Sequence, residues 1–382
     1  MKRFFKLFFL FIFLSCVSLW ISGYGYIFYG LRATYLRFEK TAQIDDAKFF
    51  YNDTVFASEK PFEWKKSKSY NSYELSDSLN SLLENYKTSS FVVIKNDQIV
   101  LEKYWDNNLT KNNKSNSFSM AKSILSLVVG CAIDDGYVSS LDMPVKDIFP
   151  DISYYEKGKD VTIGNLLNMT AGLDWKESYF NPFGITARFY YTKNLNDLIL
   201  DFNFNSEPGL NYVYQSGATQ LASMMLDSIL IKNGTSLSEY TSSRFWKKIG
   251  AKENALWSLD RFGGDEKGFC CFHSNALDFA KIGRLFLNNG FYKNNKVISN
   301  SYLEKIKNPV VSDFYSYGWW ITKVNNHTVY YMRGFKGQYV VIVPDKNIIV
   351  VRLGRKEEKS NVGNNEPPAS FKVFMKEVLT KY

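Results

Sequence analysis

Ser119 and Lys122 are the residues of this chain whose types and spacing best suit covalent chemistry. Ser119-Met120-Ala121-Lys122 opens an apolar run, Ile124-Leu125-Ser126-Leu127-Val128-Val129, that stops near Asp134-Asp135-Gly136 and reads as a buried helix. A serine at a helix start meets unpaired backbone N–H groups and the end of the helix dipole that favours developing negative charge. A lysine three positions on lies on the same face and can reach the hydroxyl. In an apolar pocket its ammonium is destabilised, so the neutral amine becomes available as a base. Ser119 is the only serine in the chain with a lysine at that spacing. An N-cap followed by a surface lysine has the same pattern, so the neighbouring segments have to decide.

Two of them follow in order: Val161-Thr162-Ile163-Gly164-Asn165-Leu166-Leu167-Asn168-Met169-Thr170-Ala171-Gly172-Leu173, then Pro208-Gly209-Leu210-Asn211-Tyr212-Val213-Tyr214-Gln215-Ser216-Gly217. With Phe118-Ser119-Met120-Ala121-Lys122-Ser123 they resemble the class C β-lactamase family in the broad sense, especially its 6-aminohexanoate-dimer hydrolase and esterase branch. The resemblance runs from about Phe91 to the C-terminus. It implies an α+β, two-lobed serine β-lactamase/penicillin-binding-protein-like fold, with an antiparallel sheet flanked by helices and a mostly helical lobe.

The resemblance also implies roles. Ser119 matches the nucleophile, Lys122 its base, and Tyr214 the tyrosine of a Tyr-x-Asn element that moves protons between serine and leaving group. A nearby lysine would lower the pKa of that phenol. Ser216 stands where the asparagine is expected, and a hydroxyl replaces only part of an amide's hydrogen bonding. The third element, usually cation-led, is Met332-Arg333-Gly334. Gly334 permits close backbone approach, and the Phe335 amide is the candidate oxyanion donor beside that of Ser119. The leading cation is lost to Met332, with Arg333 or Lys336 as replacements for holding a substrate carboxylate. Tyr179, in Glu177-Ser178-Tyr179-Phe180-Asn181-Pro182, resembles the substrate-side tyrosine of the dimer hydrolases. No metal or organic cofactor is implied. The expected substrate is a small amide or ester. A penicillin-binding D-amino-acid peptidase or β-lactamase is the alternative. A membrane-tethered, non-catalytic binding protein of the same fold is the alternative of another class.

Other chemistries find little support. There is no Gly-x-Ser-x-Gly elbow, and a Ser-His-Asp relay has only His273 and His327 to draw on. His327, shortly upstream of Met332, could approach the site, whereas His273 reads as a packed core residue. The four cysteines are Cys16, Cys131, Cys270 and Cys271, without a CxxC pair, which excludes a zinc site of ordinary spacing. Adjacent cysteines rarely satisfy disulfide geometry, so Cys270 and Cys271 read as small buried hydrophobes.

At 382 residues and 45% hydrophobic content the chain can bury a large core in two lobes or two domains. Phe91–Ile94 with Ile99–Tyr104 reads as one hairpin, Tyr339–Val343 with Ile348–Arg352 as another, and Ser370–Tyr382 as a closing helix. The expected organisation is an anchor or signal segment over 1–31, a tether or irregular arm over 32–79, and the hydrolase domain over 80–382. Lys2, Arg3 and Lys6 precede an apolar run from Leu7 to about Gly30, longer than the roughly 20 residues a span requires. Basic residues ahead of it place the N-terminus in the cytoplasm, although Arg32 and Arg37 weaken the contrast. A cleaved signal peptide, or lipidation at Cys16 in Phe13-Leu14-Ser15-Cys16, are the rivals. The favoured reading is an uncleaved anchor in a bacterial inner membrane with the catalytic domain on the periplasmic, extracytoplasmic side. The net charge of +9 comes from scattered lysines, which suits an anionic membrane surface and argues against nucleic acid.

Overall fold

The computed structural model describes residues 1–105, 113–154, 156–200, 202–358 and 366–382. The two hairpins read from the sequence are Thr88–Lys95 with Gln98–Tyr104, and Gln338–Val343 with Ile348–Gly354. They join each other, Ile348–Gly354 against Thr88–Lys95, in the middle of an eight-stranded sheet. Its remaining strands are Tyr315–Ser316, Trp319–Val324 and His327–Gly334 on one side and Lys65–Lys66 at the opposite edge. All pairings are antiparallel except that of Lys65–Lys66.

The central strands carry apolar runs that fill both of their faces because both faces are covered. Val92, Ile94, Val340, Ile342, Ile349 and Val351 join the core containing the helices Met120–Asp134 and Ala276–Leu287. Their alternates Phe91, Val93, Val341, Val343, Ile348 and Val350 pack with Phe371, Phe374, Met375 and Val378 of the C-terminal helix Ala369–Lys381. Met120–Asp134 is buried from Met120 to Ala132, which is what an almost uniformly apolar helix requires. It lies between the sheet and a helical lobe that includes Ile163–Leu167 and Ser216–Lys232. A second sheet of four short strands, in the order Asn52–Val55, Ala255–Ser258, Phe272–Ser274, Ser115–Asn116, delivers the chain to Ser119.

Two expectations need correction. The apolar N-terminal run is not one helix to Gly30. The helix Lys2–Leu19 continues through a turn at Trp20–Tyr24, and Gly23 there adopts φ +81°, a left-handed backbone open to glycine. The stretch long and apolar enough to cross a membrane is therefore Lys2–Tyr24, and none of its residues is buried. The next helix, Tyr26–Ala33, folds back onto the protein: the Tyr26 hydroxyl donates to Pro182 O at 3.1 Å, and Gly30 lies against the Tyr191 ring. The second correction concerns the cysteines. Both are buried, but Cys270 and Cys271 are disulfide-bonded to each other. Cys271 has φ +68°, and that left-handed residue breaks the usual alternation of successive side chains.

Residues 32–79, expected as a tether or irregular arm, hold little regular structure yet are tied to the body at several points. Ile44 and Val55 are fully buried in the core. Arg37 donates to Asp45 and Asp46, each at 2.9 Å, and two short strands of the segment join the two sheets.

Candidate active site

Ser119 is the N-cap of the helix Met120–Asp134. It is preceded by Phe118, which carries φ +45°, a conformation that costs a non-glycine residue about 1–3 kcal/mol. The turn is held in place from both sides. The Phe118 amide donates to Asn116 Oδ1 at 2.8 Å, and the Ser117 hydroxyl donates to Phe118 O at 3.1 Å. A strand, a left-handed turn and a helix start thus present the serine at the head of a rigid helix.

Lys122 is buried, and each proton of its ammonium has an acceptor. Nζ donates to Ser119 Oγ at 3.0 Å, to Ser216 Oγ at 3.1 Å and to Phe269 O at 2.8 Å. Burial lowers its pKa to about 8, against the opposing pull of Glu177. A neutral amine is thus available near neutral pH, within hydrogen-bonding distance of the hydroxyl.

Ser216 connects that lysine to a carboxylate. Its hydroxyl donates to Glu177 Oε1 at 2.7 Å and its amide to Glu177 Oε2 at 3.0 Å, where the Trp175 indole also donates at 2.5 Å. Reading the sequence singled out Ser216 as the departure from asparagine and missed Glu177. A carboxylate two residues ahead of Tyr179 was the only signal, and its meeting with Ser216 is made by folding. Tyr179 and Tyr214 both interact with the Ser119 hydroxyl and with one another. The expected depression of the Tyr214 pKa is reversed: burial first, then Glu177, pushes it well up, so this phenol keeps its proton. Lys122 Nζ lies 5.2 Å from the Tyr214 ring centroid. Burial and Glu177 raise Tyr179 in the same way.

Gly334 ends the strand His327–Gly334 against Ser117. A Cβ there would stand 2.1 Å from Ser117 O, a contact only glycine avoids. The Phe335 ring packs on Phe118 and Tyr179, with centroids 5.5 and 4.9 Å apart. Neither the Ser119 nor the Phe335 amide donates to a loop or turn carbonyl among the described residues. Met332, where a cation was missed, is fully buried in the core and borders neither cavity described below. Strand alternation puts Arg333 on the opposite face, near the Trp320 ring at 5.6 Å and Glu357 at 4.0 Å. Lys336, in the turn, has its pKa lowered to about 8 by burial.

Two cavities open beside the serine and share Lys40, Thr41, Ser119, Tyr179, Phe180 and Phe335. A cleft of about 940 Å³ also includes Tyr214, Arg333, Lys336, Arg355 and Glu357. A pocket of about 120 Å³ lies between the loop at 178–182 and the N-terminal helix Tyr26–Ala33. The histidines are elsewhere. His273 is buried against Ser258 at 2.9 Å, and His327 begins the strand that Gly334 ends, roughly 20 Å away at strand rise. Among the described residues no group of three His, Cys, Asp or Glu side chains could hold a metal.

Residues 80–263 match the Beta-lactamase family model, a span that includes Ser119, Lys122, Glu177, Tyr214 and Ser216. A 6-aminohexanoate-dimer hydrolase of Paenarthrobacter ureafaciens is 23% identical over 303 residues, covering 72% of this chain and 74% of that protein. Among solved structures, a 6-aminohexanoate-dimer hydrolase-like protein of Bacillus anthracis superposes with a TM-score of 0.74 at 20% identity, covering 91% of this chain and 93% of that one. A family VIII carboxylesterase superposes with a TM-score of 0.62 at 15% identity, covering 84% and 99%. Over residues 80–263 the chain thus matches the Beta-lactamase model; its fold is that of β-lactamases and penicillin-binding proteins, and the relatives it matches are hydrolases.

Proposed function

We propose that this protein is a serine amidase or esterase that works through an acyl-enzyme on Ser119. The observation that carries the reading is the 3.0 Å hydrogen bond from a buried, pKa-depressed Lys122 to the Ser119 hydroxyl. Neutral Lys122 takes the serine proton as Ser119 attacks the carbonyl carbon. The Ser119 and Phe335 amides receive the oxyanion. Tyr214, which stays protonated, hands a proton to the leaving group and is re-supplied through the Ser119–Lys122 side. Water then attacks the acyl-enzyme in the mirror sequence, and Ser119 recovers its proton. Tyr179 and Ser216 position the nucleophile and the base. The hydrolase relatives support the class of reaction, and no step calls on a metal or organic cofactor.

Small uncharged amides or esters fit better than β-lactams. A charged hydrogen bond to a substrate carboxylate is worth about 1.5–3 kcal/mol, and Met332 supplies none from the core. A short-chain p-nitrophenyl ester is therefore expected to give a higher kcat/KM than nitrocefin, by one to two powers of ten if that contact forms in the transition state. Nitrocefin turnover above ester turnover would sink the preference. Arg333 bordering the cleft keeps a carboxylate-bearing D-amino-acid peptide as the second reading, and Arg333→Ala should then remove that activity selectively.

The apolar helix Lys2–Tyr24 supports an uncleaved membrane anchor with the hydrolase on the extracytoplasmic side. The protein should stay in the membrane fraction through a high-salt wash, because apolar burial is not screened by salt. Release by salt, or a mature N-terminus beyond Arg32, refutes an uncleaved span.

A further inference from the structure

The two cavities that meet at Ser119 differ in chemistry. The cleft is bordered by charged side chains, among them Arg333, Lys336, Arg355 and Glu357. The smaller pocket is lined by Ile27, Leu31, Phe180, Tyr191, Phe269 and Phe335, and Lys40 alone is charged among its described lining residues. Tyr214 borders the cleft and does not line the pocket. A group that protonates the departing atom has to stand on the leaving-group side of the carbonyl. That direction puts the leaving group in the polar cleft and the acyl group on the other side of Ser119.

From this division we propose that the pocket under the N-terminal helix Tyr26–Ala33 receives the acyl chain of the substrate. The substrate is thus an ester or amide of a polar alcohol or amine carrying an uncharged hydrocarbon acyl group of about four to six carbons. The inference rests on the acyl-enzyme reading above and adds the substrate class to it. The size follows from the volume: an apolar cavity of about 150 Å³ takes up a benzene, six carbons, and this pocket measures about 120 Å³. One wall of it lies outside the matched hydrolase region. Ile27 and Leu31 come from the helix that directly follows the apolar segment Lys2–Tyr24, so the N-terminal segment is a specificity element as well as a candidate anchor.

The test uses the full-length protein in detergent with p-nitrophenyl acetate, butyrate and hexanoate, which share one leaving group. Each methylene buried in the transition state is worth on the order of fourfold, so kcat/KM should rise about a hundredfold or more from acetate to hexanoate. Ile27→Trp fills the pocket and should cut hexanoate turnover at least tenfold while acetate turnover stays within about twofold. Ile27→Ala enlarges the pocket and should extend the favourable trend to octanoate. The two variants move in opposite directions, and retained acetate turnover shows that each is folded. A flat chain-length profile with normal acetate turnover overturns the pocket assignment and leaves the hydrolase reading standing. A hexanoate preference that Ile27→Trp does not touch overturns it as well. Absence of ester turnover together with no labelling of Ser119 by a fluorophosphonate defeats the hydrolase reading, and this inference with it.

Discussion

Two lysines are sealed inside this protein on either side of one short segment, and only one of them faces a serine. Lys122 donates to Phe269 O, and Lys267 stands two residues before that carbonyl. Lys267 is fully buried; its ammonium donates to Phe189 O at 3.3 Å and lies 5.3 Å from the Phe50 ring centroid. Burial lowers its pKa to about 7, further than the value of about 8 at Lys122. If a depressed pKa made a base catalyst, Lys267 would be the better one. It has a carbonyl, an aromatic ring and the charge of Asp260 for company, whereas Lys122 has Ser119 at 3.0 Å. Burial makes a neutral amine available in both places; the helix start gives only Lys122 a hydroxyl to deprotonate.

The largest effects should come from the Lys122 side of this contrast. Ser119→Ala should abolish labelling by a fluorophosphonate and reduce ester kcat/KM by at least about a thousandfold, with little change in melting temperature because only a hydroxyl is removed. Lys122→Met should lose a comparable factor, since base and nucleophile act as a unit. An adduct placed by mass spectrometry on any other residue would end the assignment.

Glu177→Gln sharpens the comparison at the level of charge. The neutral form of Lys122 is the active one, so kcat/KM should rise with pH through an apparent pKa near 8. The Glu177 carboxylate raises that value, so its replacement by an amide should move the acid limb to lower pH, by less than about one unit, with a several-fold change in the plateau. Glutamine preserves the shape of the side chain, which separates charge from packing. A limb that moves to higher pH, or does not move, would mean that Glu177 only orients Ser216.

The contrast also explains what could be read in advance. Ser119 and Lys122 share one helix face, and a single local spacing reports both. The hairpins at 88–104 and 338–354 were legible because runs of valine and isoleucine flank polar turns. The two-lobed α+β fold followed from the resemblance carried by three ordered motifs. Glu177 was not legible, because its link to Lys122 runs through Ser216, 39 residues away. Met332 was misplaced for a different reason: strand periodicity decides which side chain of Met332-Arg333-Gly334 meets the cleft, and it turns Met332 into the core. Gly23, one residue with a left-handed backbone, shortened the apparent span, and the helix beyond it became a wall of the site. The cysteine pair was misread because neighbouring cysteines rarely meet disulfide geometry, and the left-handed backbone at Cys271 is not visible in the sequence.

The smallest expected effect on activity is that of Lys267→Met, and it carries the comparison furthest. If geometry and not basicity defines the site, this variant should hydrolyse esters within about threefold of the parent, although it alters the more strongly perturbed of the two lysines. Its effect should appear in stability instead. The folded-state pKa of about 7 lies below the ordinary 10.5, so between those values the unfolded chain binds more protons than the folded one. Stability of the parent therefore rises as pH climbs from about 7 toward 10.5, and the full penalty for the buried charge is present below about 7. The difference corresponds to roughly 5 kcal/mol as an upper bound, reduced by the lost hydrogen bond to Phe189 O and the lost contact with Phe50. Methionine fills most of the space without the charge. Lys267→Met should melt several degrees higher than the parent at pH 6.5, and the gap should shrink by pH 9.5. Thermal melts at the two pH values, set beside ester kcat/KM, decide the matter. A variant that loses activity by a hundredfold while keeping its melting temperature would make Lys267 part of the proton path and erase the distinction between the two lysines.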